Sequence, residues 1–254
     1  MIIDAEHRMA TQRTHPRMAL ISPVLDSKEG TLTVSAPGMK DLSFPLHSKG
    51  DFEVLTVKVW DDDCQVEVLP QKLSAWFSAF LQTEGLRLVR MKETFVRPTD
   101  PKYAQGGVTT LTDGFPILIA SEETLQRTND ALEEKVSMEV FRYQLITTTG
   151  RIGARKVCYS MICRPNIMVA GCRAFSEDSW RKVRVAGAVE IEVVKPCARC
   201  KIPTVHLDSG KLDPNNQPIK AMKSLRSGKA LKFKKDEWRA EVKSRPYTLI
   251  TLRF

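Results

Sequence analysis

The sequence predicts a mixed α+β fold that is rich in β-strands and divided into two units. Stretches of β-branched residues alternate with polar residues along much of the chain, and turn-forming residues separate them. Helical spacing is confined to a few short segments. The 254 residues suffice for two domains, each with its own core. Because Arg97–Gly107 is rich in Pro, Asp, Lys and Gly, we expect a long loop there and domains over residues 1–96 and 97–254.

In the first unit, three predicted strands precede a helix. The strands are Met18–Leu25, Thr31–Ala36 and Phe52–Trp60, with a hairpin turn at Ser27–Gly30. A helix follows because apolar residues recur at helical spacing, and such a stripe usually packs in a core. The stripe comprises Leu69, Leu73, Trp76, Phe77, Phe80 and Leu81. Alternation at Leu86–Met91 predicts one more strand.

The second unit is predicted to combine strands with two short helices. The apolar segment Phe115–Ala120 is a buried strand or the entrance to a helix. Ser121 is a good N-cap for that helix, and two glutamates after it complement the helix dipole. The remaining elements are strands at Asn166–Ala170 and Val183–Val194 and a short helix at Pro218–Ser227.

Composition excludes several classes of protein. Hydrophobic residues make up 42% and charged residues 27%, as in globular rather than disordered chains. No apolar run approaches the ~18–20 residues of a membrane-spanning helix. Acidic residues interrupt the N-terminal segment, whereas a secretory signal has an uninterrupted apolar region there. Six irregularly spaced cysteines do not make a disulfide scaffold, so we expect a reducing compartment.

The net charge of +9 is concentrated in two stretches. Residues 142–164 carry five basic and no acidic side chains, and residues 220–254 carry eleven basic and three acidic ones. The remaining 196 residues sum to −4. A basic chain invites a nucleic-acid partner, but a charged tail is more often simply solvated. A basic nucleic-acid-binding protein is therefore an alternative, and our prediction is that no nucleic acid binds.

A CxxC pair, Cys197 and Cys200, follows a predicted strand and has Lys195, Arg199 and Lys201 beside it. Neighbouring cations favour the thiolate form of a cysteine. Four interpretations are open for the pair. It is half of a zinc site, a redox pair, the source of a single soft thiolate ligand for a metal or metal cofactor, or two buried and inert thiols.

Three further clusters carry polar side chains suited to a phosphate or a polar heterocycle. Arg164–Gly171 places an arginine and an asparagine at the entrance to a strand. Thr110–Pro116 places Asp113 in a turn before a strand or helix, and Thr11–Arg17 brackets a turn with two arginines. Each cluster is weak by itself, because surface arginines and turn aspartates are usually just solvated.

The four clusters, in this order, resemble the MOSC-domain molybdenum enzymes, and among them the mitochondrial amidoxime-reducing components and their bacterial relatives. The most specific segments are RPNIMVAGCRAFSEDSWRKV and KPCARCKIPTV, supported by DAEHRMATQRTHPRMALISP and LTDGFPILIASEETL. The similarity covers residues 1 to about 142 and 164 to about 228. It implies an N-terminal β-barrel-like domain followed by a MOSC β-barrel domain with a few helices.

The resemblance also implies a cofactor site. Cys200 would be the protein thiolate on molybdenum, a metal that takes its other sulfur ligands from the pterin of the cofactor. Asp113 would lie in a turn against the cofactor and, with Cys200, is expected to be catalytic. Arg13 would help hold the cofactor phosphate. The residues expected to line the pterin site are Arg164, Asn166 and Arg199.

The implied reaction is the reduction of N-hydroxylated compounds, namely amidoximes and hydroxylamines. Electrons would come from NADH through NADH-cytochrome b5 reductase and cytochrome b5, and neither NADH nor haem would bind this chain. The family's full-length members are anchored in the mitochondrial outer membrane. We expect this chain to be a monomer and, without that anchor, to be cytoplasmic or mitochondrial.

Three departures from the family favour a truncated and inactive form. The chain begins inside the family's N-terminal domain, so the first strand is missing. Residues 143–163 are an atypical insertion, and residues 229–254 form an atypical tail where the family has its closing strands. A lesser departure is His206, where relatives tend to carry an aspartate. These features favour an alternative or mispredicted transcript over an evolved variation.

A second enzymatic interpretation is a MOSC sulfur carrier that resembles the C-terminal part of molybdenum cofactor sulfurases. Its cysteine would receive a persulfide. Sulfurases carry an attached domain for pyridoxal phosphate binding, and the absence of that domain here weakens this interpretation. A reductase is therefore the favoured prediction.

Overall fold

Strands dominate the part of the chain that the computed structural model describes, which is residues 1–137, 166–185, 189–197, 200–227 and 247–252. Within these ranges, fourteen strands form four sheets and three α-helices pack on them. The prediction of a mixed α+β, β-rich fold is confirmed. Among the helices in these ranges, none is long and apolar enough to cross a membrane. The insertion at 143–163 and most of the tail at 229–254 lie outside the described residues.

Two antiparallel sheets and one helix make up the N-terminal unit. Its elements are β1 (Ile2–Ile3), β2 (Ser22–Asp26), β3 (Thr31–Ser35), β4 (Leu42–Pro45), β5 (Val54–Val59), β6 (Asp62–Val68), α1 (Gln71–Leu81) and β7 (Arg87–Met91). One sheet has the order β1-β7-β6-β5 and the other has the order β2-β3-β4. Alternate side chains of β5 and β6 are buried, so one face of that hairpin packs in the core.

Helix α1 confirms the apolar stripe predicted from its spacing. Leu73, Phe77, Phe80 and Leu81 are buried in a cluster with residues of β1, β3, β4 and β7. One buried hydrogen bond fixes the helix against strand β7. The Ser74 hydroxyl, itself fully buried, accepts it from the Leu88 backbone N–H at 2.9 Å. Pro70 lies at the N-cap rather than in the first turn.

The C-terminal unit is built on a five-stranded sheet. Its elements are β8 (Arg97–Pro98), β9 (Val108–Thr109), β10 (Ile117–Ser121), α2 (Glu122–Asn129), β11 (Ile167–Val169), β12 (Lys182–Val185), β13 (Val189–Cys197), α3 (Ile219–Arg226) and β14 (Tyr247–Leu252). The sheet order is β11-β10-β14-β13-β12, and β10 and β11 are its parallel pair. The small pair β8-β9 forms a separate two-stranded sheet.

Helix α2 begins where the sequence predicts, directly after Ser121, and ends at Asn129. The Ser121 hydroxyl accepts a 3.1 Å hydrogen bond from the Thr124 backbone N–H, as an N-cap does. The helix stops at Asn129 because the side chain of Asn129 hydrogen-bonds both backbone groups of Val136, at 2.9 and 3.0 Å. This contact turns the chain back on itself and satisfies polar groups that a longer helix would have used.

Several elements differ from the sequence prediction. The short strands β1, β4, β8 and β9 were not predicted, and the single strand expected at Val183–Val194 is the antiparallel pair β12 and β13. The first three residues of the expected strand Met18–Leu25 belong to a 3-10 helix, Pro16–Leu20, since the proline favours a helical turn and Met18 packs in the core. Strand β6 was missed, because three consecutive aspartates at its start interrupt the apolar alternation. Pairing along the whole of β5 compensates for that polar start.

The C-terminal tail contributes a strand where the sequence suggested that no closing strand is present. Strand β14 lies between β10 and β13 and pairs with both, with Ile250 opposite Ile117 on one side and Val193 on the other. A strand in this position completes the hydrogen bonds of two neighbours. Without it, β10 and β13 would each present an unpaired edge.

Candidate functional site

Arg13 lies against the turn between β5 and β6. Its guanidinium carbon is 4.5 Å from the ring centre of Trp60, a cation–π distance. Trp60 is 36% exposed and adopts a positive φ of 59° in that turn. The backbone N–H of Arg13 donates to the Thr11 hydroxyl at 3.2 Å, which fixes the start of the turn that carries it. The arginine is therefore held in place while its exposed side can meet an anion.

Arg97 is a buried cation beside this turn, and sequence reasoning did not single it out. The side chain is 2% exposed and belongs to β8. Its guanidinium donates to Asp62 at 2.7 Å, and to the backbone carbonyls of Thr110 and Thr112 at 2.7 and 2.8 Å. The only sequence signal was its place at the start of a loop rich in Pro and Gly, where a charged residue is usually exposed.

The loop that carries Asp113 is held by these bonds and by two threonines. The hydroxyls of Thr109 and Thr112 lie 3.0 Å apart, and both are near the Asp113 carbonyl, at 3.4 Å. One carboxylate oxygen of Asp113, Oδ1, accepts the Gly114 backbone N–H at 2.8 Å. Arg97 thus connects the Asp113 loop to the turn on which Arg13 rests.

Asn166 lies at the entrance to β11, as predicted. Its side-chain oxygen accepts the Leu118 backbone N–H at 2.8 Å, and its own backbone N–H donates to the Leu118 carbonyl at 2.7 Å. The residue is exposed. Because its oxygen is committed to β10, its side-chain nitrogen is the group that can be offered to a ligand.

The two cysteines of the CxxC pair differ in accessibility. Cys197 is 2% exposed at the end of β13, in an apolar cluster with Phe115, Leu118 and Met222. Cys200 is partly exposed, in the turn before the 3-10 helix Ile202–Thr204. Burial makes Cys197 a structural residue, whereas Cys200 can meet a ligand.

The surroundings of the pair bear on the four interpretations of CxxC. Three residues of 3-10 helix follow Cys200, not the α-helix N-terminus of a thioredoxin-like redox pair. Among the described residues, no group of three or more His, Cys, Asp or Glu side chains could hold a metal ion. Cys158 and Cys163, the cysteines that a zinc site could recruit as a second pair of ligands, lie outside the described residues. A single thiolate ligand is the interpretation that the accessible Cys200 suits best.

Close packing joins the segment of Arg13 to the segment that follows Cys200. Gly210 is buried with a positive φ of 63°, and a Cβ added to it would lie 3.0 Å from the Arg17 Cα and 3.1 Å from Leu20. Only glycine fits this approach without strain. The loop after Cys200 and the Thr11–Leu20 segment are therefore neighbours in space.

The structure brings the predicted residues together only in part. Arg13 and Asp113 are linked through Trp60, Asp62 and Arg97. One apolar cluster contains Phe115, Leu118 and Cys197, so it lies beneath the loops of Asp113, Asn166 and Cys200. Asn166 directly precedes β11, and Cys197 ends β13. These two strands are three positions apart in the sheet, which is about 14 Å along a flat sheet. Arg164 and Arg199 lie outside the described residues.

Two acidic residues of the 3-10 helix Ser176–Ser179 are held inside the C-terminal unit. Glu177 is fully buried and accepts a 3.2 Å hydrogen bond from the Ser121 hydroxyl. Asp178 forms an ion pair with Arg226 of α3, and the guanidinium of Arg226 stacks 4.5 Å from the ring centre of Phe175. These contacts connect the segment after β11 to both α2 and α3.

Glu123, in the first turn of α2, anchors the turn after β11. Its carboxylate accepts the Gly171 backbone N–H at 2.6 Å and lies 3.4 Å from the Cys172 sulfur. Hydrogen bonds from its own backbone N–H and from that of Gly171 hold the pKa of this carboxyl below its usual range. Cys64 behaves in the opposite way, since burial raises the pKa of its thiol.

Two family models match the chain. The MOSC N-terminal beta barrel domain matches residues 1–84, and the MOSC domain matches residues 106–244, more than half of the chain. The chain belongs to the MOSC family. The matched range of the second domain includes residues 143–163 and the first part of the tail.

Curated relatives include three amidoxime-reducing components. Identity is 31% with mitochondrial amidoxime-reducing component 1 of Mus musculus, 29% with component 2 of Rattus norvegicus and 30% with component 2 of Homo sapiens, each over 89% of this chain. The chain spans about 60% of the length of these relatives. A solution structure of a Bordetella bronchiseptica protein shares 21% identity with a TM-score of 0.32, covering 36% of this chain and 70% of that one, too little similarity to carry a conclusion.

Proposed function

We propose that this protein is a molybdenum-cofactor-dependent reductase of N-hydroxylated compounds, namely amidoximes and hydroxylamines. The observation that carries the proposal is the similarity, over 89% of the chain, to proteins named for amidoxime reduction. Membership of the MOSC family and the accessible thiol of Cys200 support it.

The donor set fits such a cofactor. Cys200 offers one soft sulfur ligand, which is what a metal already bound by a pterin dithiolene requires. Arg13 offers a guanidinium for a phosphate, and Asn166 offers an amide N–H for the pterin. Arg164 and Arg199 are proposed to line the same site. When bound, the cofactor supplies the redox chemistry that removes oxygen from the substrate.

Protons are the second requirement of the proposed reaction. Each turnover consumes two electrons and two protons, cleaves the N–O bond and releases water. Asp113 is proposed to relay a proton through its carboxylate, one oxygen of which, Oδ1, accepts the Gly114 backbone N–H. Arg97, paired with Asp62, is buried next to the same loop and donates to its carbonyls. A carboxylate held in this loop suits proton delivery to a departing oxygen.

Electron donors and location follow the same family and are part of the proposal. Cytochrome b5, reduced by NADH-cytochrome b5 reductase, is proposed to supply the electrons, and the chain is proposed to act as a monomer in the cytoplasm or mitochondrion. Because the chain spans about 60% of its relatives' length, cofactor content and turnover are measured separately.

The test is reduction of a simple aromatic amidoxime by the protein reconstituted with NADH, cytochrome b5 and its reductase. The expected result is amidine formation that requires all components and is lost in Cys200→Ala but retained in Cys197→Ala. Molybdenum-loaded protein without turnover would limit the proposal to cofactor binding. A persulfide on Cys200, found by mass spectrometry in protein that reduces no substrate, would instead establish a sulfur carrier.

A further inference from the structure

Arg97 joins two separate segments of the chain by bonds from every guanidinium nitrogen. Nε donates to the Asp62 carboxylate at 2.7 Å, and Nη2 lies 2.7 Å from the same carboxylate oxygen. Nη1 donates to the carbonyls of Thr110 and Thr112. The planar fork of arginine can satisfy these three acceptors at once, which a lysine ammonium cannot do in this geometry.

The burial of this cation is asymmetric. Arg97 is 2% exposed, whereas its partner Asp62 is 51% exposed. Transferring a guanidinium out of water is costly, and a half-exposed carboxylate offsets that cost only in part. The backbone carbonyls of Thr110 and Thr112, with a longer 3.5 Å bond to the Val59 carbonyl, supply the remaining compensation. The loop conformation and the buried position of Arg97 therefore depend on each other.

Each of the two joined segments carries one end of the proposed site. Asp62 follows the turn on which Trp60 holds Arg13, and Thr112 directly precedes Asp113. A change in the position of Arg97 would move the loop relative to that turn. The distance between a phosphate-binding arginine and a proton-relaying carboxylate would change with it.

We propose that Arg97 is a positioning residue that fixes the Asp113 loop against the turn between β5 and β6, and so sets the geometry of the cofactor site without contacting the cofactor. The inference rests on the proposed function, because that function assigns Arg13 and Asp113 to the site. Asp62, which accepts from the Arg97 guanidinium, is the second positioning residue.

The test compares Arg97→Lys with a matched control, Arg90→Lys. Arg90 makes the same kinds of contact elsewhere: it pairs with Glu67 at 2.7 Å and donates to the carbonyls of Leu46 and Ser48 at 3.1 and 2.9 Å. Two quantities are measured in each purified protein. They are amide hydrogen exchange in the peptide spanning residues 108–116 and molybdenum bound per folded chain.

Arg97→Lys is expected to speed exchange in the 108–116 peptide at least fivefold and to lower bound molybdenum by a similar factor. Arg90→Lys is expected to change neither by as much as twofold, although it lowers the melting temperature. If Arg97→Lys does not fold, Asp62→Asn takes its place, with smaller effects of the same direction. Unchanged exchange in the 108–116 peptide, or an equal loss of molybdenum in the Arg90 variant, overturns the proposal.

Failure of the proposed function is a separate result. A wild-type protein that binds no molybdenum would remove the reductase proposal, and exchange in the 108–116 peptide would then decide the role of Arg97 alone. If the role of Arg97 were purely structural, Arg97→Lys and Arg90→Lys would lower the melting temperature equally, and molybdenum per folded chain would not change.

Discussion

At the scale of residues, close contacts account for features that composition and spacing do not reveal. The difference between Cys197 and Cys200 is one of burial, since the first lies buried in an apolar cluster and the second is half-buried. The CxxC spacing is compatible with all four interpretations of the pair, so only the fold distinguishes the two thiols. Arg97 and Gly210 are further residues whose roles come from what surrounds them.

Gly210→Ala should lower the free energy of unfolding by about 3 kcal/mol. About 1–2 kcal/mol comes from the positive φ and the rest from overpacking against Arg17 and Leu20. Chemical denaturation of the purified protein measures the change. Gly38→Ala is the matched control, because φ there is 74° and no atom of the described residues lies within 4 Å of the added Cβ. Equal losses in the two variants would contradict the close approach.

Glu123 should make the turn at Gly171 sensitive to acid. A carboxyl whose pKa is lowered on folding contributes stability above its unfolded pKa and loses that contribution as pH falls through the folded pKa. The amide proton of Gly171, followed by NMR, should therefore titrate with a midpoint below the ordinary glutamate value of about 4.3. Glu123→Gln should abolish this titration. A midpoint at or above the ordinary value would show that the hydrogen bond is not formed.

At the scale of elements, the sequence predicted helices better than it predicted where strands begin. Helix α1 and the N-cap of α2 followed from apolar spacing and from Ser121, because both signals are local. Strand β6 and the 3-10 helix Pro16–Leu20 did not, because β-pairing and core packing override local propensity. Strand β14 is the extreme case, since a basic tail supplies a central strand.

Ser121→Ala should destabilise the C-terminal unit by about 2 kcal/mol. The substitution removes an N-cap, worth about 1 kcal/mol, and leaves buried Glu177 without the hydroxyl that donates to it. Ser22→Ala provides the control, since that serine is exposed at the start of β2. A melting temperature for Ser121→Ala equal to that of the control would mean that the cap contributes nothing.

Ile250→Pro should disrupt the five-stranded sheet. A proline in a central strand removes a ladder hydrogen bond and leaves its acceptor unpaired, at a cost of about 3 kcal/mol. Ile250→Val keeps the backbone donor and should retain the wild-type circular dichroism spectrum and melting temperature. If the proline variant melted like the valine variant, strand β14 would not belong to the sheet.

At the scale of the whole molecule, the chain combines membership of the MOSC family with candidate site residues that the fold brings together only in part. Recognition of the MOSC family was possible from the sequence because its motifs are long and ordered along the chain. The packing between the Arg13 segment and the loop after Cys200 was not, since it depends on a glycine that meets another part of the backbone. Local motifs predict which residues contribute to a site, and tertiary contacts decide which of those residues lie close together.

The most direct test of the account is the molybdenum content of the purified protein, wild type against Cys200→Ala and Cys197→Ala. The account predicts molybdenum in the wild type and in Cys197→Ala, and its loss in Cys200→Ala, because the accessible thiolate is the proposed protein ligand. Zinc bound through both cysteines, or molybdenum retained without Cys200, would contradict it.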